Sequence, residues 1–95
     1  MLPIESIETR LELIQNELIH LIKNRLKNSY TEVLEIKQDL IIDNRKITHA
    51  YYHEGWKTND VWLYYDYDNR EEILLSSITN IYDLLNIYKI INYEG

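Results

Sequence analysis

Near the start of the chain, apolar side chains return at Ile4, Ile7, Leu11, Ile14, Leu18 and Leu21, at spacings of 3, 4, 3, 4 and 3 that a strand cannot use. A 3.6-residue period gathers them on one face of a helix, and a helix carrying such a stripe must bury it. Pro3 suits a first turn, where its missing N–H leaves no bond unmade. Glu5 and Glu8 lie toward the positive end of the helix dipole, and Lys23, Arg25 and Lys27 toward the negative end. The spacing therefore predicts a helix over roughly residues 3–27, about 37 Å long at a rise of 1.5 Å per residue. A globule of this chain length has a radius of gyration of about 12 Å, so part of that helix is expected to overhang. Leu13, Ile19, Ile22 and Leu26 fall off the main stripe. Burial in the monomer is the preferred use for them, and a homodimer contact is the alternative.

The middle of the chain changes character. Val61 to Asp68 reads Val-Trp-Leu-Tyr-Tyr-Asp-Tyr-Asp, an aromatic and β-branched run that predicts a strand. Ahead of it two readings stand for residues 31–42. One is a helix that places Val33, Leu34, Ile36, Leu40 and Ile41 on a face, opened by a Ser29/Glu32 capping box. The other is a strand from Glu32 to Ile42 that turns at Asp43-Asn44-Arg45 and returns through Lys46 to His53. The strand is preferred because it gives the aromatic strand neighbours, and a two-stranded hairpin alone is marginal in water. Beyond Asp68 the helical period returns at Leu74, Ile78, Ile81, Leu85 and Tyr88, with Asp68/Glu71 or Asn69/Glu72 as candidate caps. Thr79-Asn80 marks a possible break, so this region is one helix or a pair. Gly occurs only at Gly55 and Gly95 and Pro only at Pro3, which leaves no linker, and 95 residues make a single domain, 1–95. The expected class is α+β in the order α-β-β-β-α: a three-stranded antiparallel meander with helices on one face.

Composition removes several functions. Without Cys there is no disulfide framework, thiol nucleophile or sulfur-ligated metal, and a reducing cytoplasm is the expected location. The first apolar stretch is interrupted by Glu5, Glu8, Arg10, Glu12 and Glu17, unlike a signal peptide, so the mature protein is expected to be the whole chain. No run approaches the roughly 20 apolar residues that span a bilayer, and no membrane association is expected. Ten Lys and Arg against 16 Asp and Glu give a net charge of −6, which opposes direct binding to nucleic acid phosphates.

Candidate chemistry is sparse. His49, His53 and Glu54 form a His-x-x-x-His-Glu sequence whose imidazoles share a face in a helix or a strand. A third ligand such as Asp60 would have to come from elsewhere, and the arrangement is not His-Glu-x-x-His. His49 or His53 with Lys57 suits proton transfer, yet a nuclease built on them would have to attract a polyanion past Asp60, Asp66, Asp68, Glu71 and Glu72. No phosphate loop or nucleophile elbow can be made with two glycines so placed. The expectation is therefore no catalytic residue, no metal and no cofactor, with a small metal- or histidine-dependent enzyme as one alternative.

The informative asymmetry is in charge and rings together. Residues 1–48 carry 7 basic and 8 acidic side chains, whereas residues 49–95 carry 3 and 8. Seven of the eleven aromatic residues lie between Tyr51 and Tyr67, and none of the eleven is Phe, so every ring carries a polar group. Alternation predicts Val61, Leu63, Tyr65 and Tyr67 on one face, toward the helices, and Trp62, Tyr64, Asp66 and Asp68 on the other. Tyr52 or Tyr51 across the hairpin and Trp56 in the loop would join the second face. Tyr52, Trp56, Asp60, Trp62, Tyr64, Asp66, Asp68, Glu71 and Glu72 are thus the expected partner-binding residues. Rings among carboxylates suit a basic partner, because attraction speeds encounter and buried rings slow release.

In its size, its lack of Cys, its acidity and its strand Val61-Trp62-Leu63-Tyr64-Tyr65-Asp66-Tyr67, the chain resembles the small cytoplasmic immunity proteins of bacterial polymorphic toxin systems. The resemblance implies binding to a cognate basic toxin, often a nuclease, and masking of its active site. Asp60, Asp66, Asp68, Glu71 and Glu72 would then pair with the Lys and Arg that normally hold phosphates. A phage-encoded inhibitor of a host defence nuclease, imitating nucleic acid, is the alternative that uses the same physics.

Overall fold

The computed structural model describes the backbone over residues 4–29 and 32–93 and the side chains of residues 10–27 and 32–92. The expected roles of Pro3, Ile4, Glu5, Ile7, Glu8 and Ser29 lie outside the described side chains. Helix α1 (Ile4–Ser29) leads into four strands, β1 (Val33–Ile42), β2 (Arg45–Glu54), β3 (Asn59–Asp66) and β4 (Glu71–Leu74), then one 3₁₀ turn (Leu75–Ser77) and helix α2 (Ile81–Tyr93). The strands form one antiparallel sheet in the order β1-β2-β3-β4. The α+β class and the meander are as expected, with one correction: there are four strands, because Glu71–Leu74 pairs with β3 and does not open a helix.

Local chemistry explains the hairpins. Asp43 and Asn44 join β1 to β2 with φ of 53° and 61°, the pair of left-handed residues that a two-residue turn between twisted strands needs. Asp and Asn tolerate that region better than other non-glycine residues. Of the two readings ahead of the aromatic strand, the strand from Glu32 to Ile42 is the correct one, with β1 beginning at Val33. Between β2 and β3, the Gly55 N–H donates to the Thr58 carbonyl at 3.1 Å. A β-carbon on Gly55 would lie 2.4 Å from that same oxygen, so this loop requires glycine for space. The turn from β3 to β4 closes with Arg70 N–H donating to the Tyr67 carbonyl at 3.2 Å, and Arg70 itself has φ of 58°.

Two irregularities set which side chains face which way. In β1 four residues, 36–39, lie opposite the single residue Thr48 of β2, between the pairs Glu35↔His49 and Leu40↔Ile47. Ile47 and Ala50 of β2 are both buried although only Thr48 and His49 lie between them, so the alternation of β2 changes phase opposite this bulge. In β3 the pairing runs Tyr64↔Glu72 and then Asp66↔Glu71, leaving Tyr65 as the extra residue.

Helices cover one face only. The core joins Leu18, Ile19, Ile22 and Leu26 of α1 to the inward residues of the sheet, such as Ile47, Val61 and Leu63, and to Leu84, Ile87 and Ile91 of α2. Ile19, Ile22 and Leu26 are therefore monomer core, while Leu13 is exposed. The buried positions of α1 begin at Gln15, so the helix packs mainly through its later turns among the described side chains. Gln15 Nε2 donates to the Ile78 carbonyl at 2.7 Å, and Arg25 Nη1 donates to the Ile91 carbonyl at 3.2 Å, fixing α1 to both ends of the α2 region.

Helix α2 corrects the expected phase. It starts at Ile81, where the Asn80 side chain accepts from the N–H groups of Tyr82 and Asp83 at 2.9 and 3.4 Å, an N-cap that satisfies two otherwise orphaned donors. The break expected at Thr79-Asn80 is this cap. Leu84, Ile87 and Ile91 are fully buried, whereas Leu85 and Tyr88 of the expected stripe are 46% and 51% exposed. No described helix is long and apolar enough to cross a membrane.

Candidate functional site

The face of the sheet away from the helices carries a continuous aromatic surface. It follows from register: His49 pairs with Tyr64 and Tyr51 with Trp62, so all four project to one side, and His53 is two residues further along β2. Across β3 the same side receives Glu72 and Leu74, the partners of Tyr64 and Trp62. Tyr67 comes over from the turn. The rings meet in sequence: His53 stacks on Trp62 with centroids 4.6 Å apart, Trp62 meets Tyr51 and Tyr64 edge-on at 5.9 and 6.4 Å, and Tyr64 meets Tyr67 edge-on at 5.2 Å. Tyr67 in turn stacks on His49 at 4.2 Å. Edge-to-face and offset-stacked geometry are the favoured arrangements for aromatic pairs, each contributing about 0.5–1.5 kcal/mol beyond area burial.

These rings cover one another, which leaves most of them half-buried and Tyr64 at 4% exposure. Burial pushes the Tyr64 phenol above its ordinary value of 10.0; the Arg70 charge opposes that shift, and Glu72 and the neighbouring phenols add to it. The Arg70 guanidinium lies 4.3 Å from the Tyr67 ring centroid and 5.9 Å from that of Tyr64. Hydrogen bonding to the Tyr67 side chain, and then the charges around it, hold Arg70 above its own ordinary value. A hollow of about 550 Å³ opens on this face, with Tyr51, Trp62, Tyr64 and Tyr67 as walls and Glu32, Glu72 and Arg70 as its charged groups.

The expected site residues are distributed unevenly. Trp62, Tyr64 and Glu72 lie together on the outer face. Of Tyr51 and Tyr52, it is Tyr51 that joins them: Tyr52 pairs with Val61, packs against the core, and has Lys23 Nζ 5.4 Å from its ring centroid. Tyr67 is corrected from the helix side to the outer side, because the extra residue at Tyr65 ends simple alternation. Tyr65 keeps to the core side, under the Arg45 guanidinium at 4.5 Å. Asp68 and Glu71 are exposed on the turn and on β4.

Two of the carboxylates serve the fold. Asp66 accepts from the backbone N–H of Asn69 at 3.3 Å and from its side-chain amide at 2.8 Å, bracing the β3–β4 turn. Asp60 accepts from the Val61 N–H at 2.7 Å and from the Ser76 N–H and hydroxyl at 3.2 and 2.5 Å, tying β3 to the 3₁₀ turn. It lines a different hollow, beside Gln15 and Ile19 of α1. Trp56, 94% exposed in the β2–β3 loop, lines neither hollow and has Lys57 Nζ 5.3 Å from its ring centroid.

His49, His53 and Tyr67 are the members of the face that sequence reasoning did not assign to it. In the sequence the histidines suggest ligands or proton carriers, and their spacing of four places both on one side of β2. His49 Nδ1 lies 2.8 Å from the Thr48 hydroxyl. Among the described residues no group of three or more His, Asp or Glu is placed to hold a metal ion. Comparison with protein-family models, with curated proteins and with solved structures finds no match to this chain.

Proposed function

We propose that this protein is an immunity-type inhibitor that binds a cognate toxin, in its best-suited form a nuclease, through the open face of the sheet and masks an electropositive active site. The observation that carries this reading is the ring surface from His53 to Tyr67, left uncovered by either helix and bordered by Glu32 and Glu72, with Asp68 exposed on the turn that follows β3. Rigid Tyr and Trp side chains lose little entropy when a partner covers them, and such residues supply most binding energy at interfaces. Carboxylates at the border attract Lys and Arg that otherwise hold phosphate. No bond is made or broken, and inhibition follows from occupancy.

The test starts from tagged protein used to capture its partner in the native organism, followed by purification of that partner and measurement of affinity. Trp62→Ala and the double reversal Asp68→Lys with Glu72→Lys are each expected to weaken binding about 10-fold or more. Each is also expected to abolish protection when partner and inhibitor are co-expressed. Asp60 and Asp66 are left intact, since their hydrogen bonds hold turns. Unchanged affinity in both variants, each shown to be folded by circular dichroism, would overturn the reading.

A further inference from the structure

Resting on that reading of the outer face, we propose that its hollow is a guanidinium site: Arg70 fills the Tyr64–Tyr67 end in the free protein, and an arginine side chain of the partner fills the Tyr51–Trp62 end against Glu32.

The faces of aromatic rings carry negative potential and attract cations, Trp most strongly. This chain already uses that attraction, with guanidinium groups 4.3 Å from the centroid of Tyr67 and 4.5 Å from that of Tyr65. No described Lys or Arg stands over Tyr51 or Trp62, although both line the same hollow; the ring stacked on Trp62 is that of His53, which lines it too. Glu32 is exposed on that hollow next to Val33, the partner of Tyr51, so a carboxylate is at hand for whatever cation enters there, while Glu72, the partner of Tyr64, lies at the Arg70 end. A guanidinium is flat and weakly hydrated, and it can stack on a ring while its edge donates two parallel hydrogen bonds to a carboxylate. An ammonium is a strongly hydrated point charge and cannot do both. The volume of about 550 Å³ leaves room for a second guanidinium beside Arg70.

Arg70 then has a definite effect. Its charge repels the incoming arginine, so removing it tightens the site. Because Arg70 has φ of 58°, Arg70→Gly removes the side chain while suiting the backbone.

The probe is Nα-acetyl-arginine amide, titrated into ¹⁵N-labelled protein while the indole N–H signals of Trp62 and Trp56 are followed. The Trp62 signal is expected to shift saturably, and that of Trp56, exposed outside the hollow, to stay still. The neutral citrulline amide is expected to give no saturable shift, and the lysine amide to bind about 3-fold more weakly or worse. Glu32→Gln is expected to weaken the arginine probe about 3-fold and Arg70→Gly to tighten it by a similar factor, the scale of one exposed charge contact. Equal responses to arginine and citrulline, parallel shifts of both indoles, or weaker binding in Arg70→Gly would overturn the guanidinium site. A partner complex that still depends on Trp62, together with a flat arginine titration, would sink this inference while sparing the protein-binding face.

Discussion

Tyr64 shows how a single side chain reports on the whole face. Its hydroxyl-bearing ring is almost fully covered by other rings, and burial raises its pKa above the ordinary 10.0. In the unfolded chain the phenol ionises at its ordinary value, so between that value and the raised one the unfolded state sheds a proton that the folded state keeps. Stability is thus unaffected below the ordinary tyrosine range and falls as pH rises through it. Denaturant titrations between pH 8 and pH 11 are expected to show this fall, and Tyr64→Phe is expected to reduce it. An identical pH dependence in the variant would show that Tyr64 is not the group responsible. Gly55 is the other residue whose role is narrow. A β-carbon there meets the Thr58 carbonyl at 2.4 Å, so Gly55→Ala must shift backbone and is expected to lower the melting temperature by several degrees, at a cost of about 1 kcal/mol. A melting temperature equal to that of the parent would show that the loop yields freely.

At the level of elements, α2 separates two stripes that its sequence presents equally. Leu84, Ile87 and Ile91 are fully buried, while Ile81, Leu85 and Tyr88, at the same helical spacing, remain exposed. Leu84→Ala is expected to cost about 2–5 kcal/mol and Leu85→Ala less than about 1 kcal/mol, measured by urea unfolding. The reverse order would place the helix in the other phase. This pair also shows where sequence reading stops. A period identifies a helix, but when apolar residues occupy two adjoining faces it does not say which one is inside. The β1–β2 hairpin was legible because Asp43 and Asn44 name their own turn, and β3 because its residues alternate around Trp62. Strand β4 was not, since four residues carry no period and Leu74 also fits a helical repeat running on to Ile78. The outer face was half legible: Trp62, Tyr64 and Glu72 follow from alternation, whereas Tyr67 reaches it only through the extra residue at Tyr65, which nothing in the sequence marks.

For the molecule as a whole, charge and shape act together. The net charge of −6 and the acidic later half give the chain a long-range attraction for positive charge, and in the proposed complex the sheet would supply the contact that follows. Raising ionic strength from 50 to 500 mM is therefore expected to slow association with the captured partner about 10-fold or more while changing dissociation much less. A salt-independent association rate would remove steering from the mechanism and leave the rings to account for affinity alone.

The surplus residues in β1 also bear on what this protein does at high concentration. A sheet this rich in tyrosine and tryptophan would, with a long regular border, be a template for chains adding strand by strand into fibrils. Here one border is interrupted midway, between Glu35 and Leu40, and the other is only the four residues of β4. Neither offers a newcomer an unbroken row of backbone partners, so the molecule can leave its rings open to solvent without inviting its own copies to polymerise along its margins.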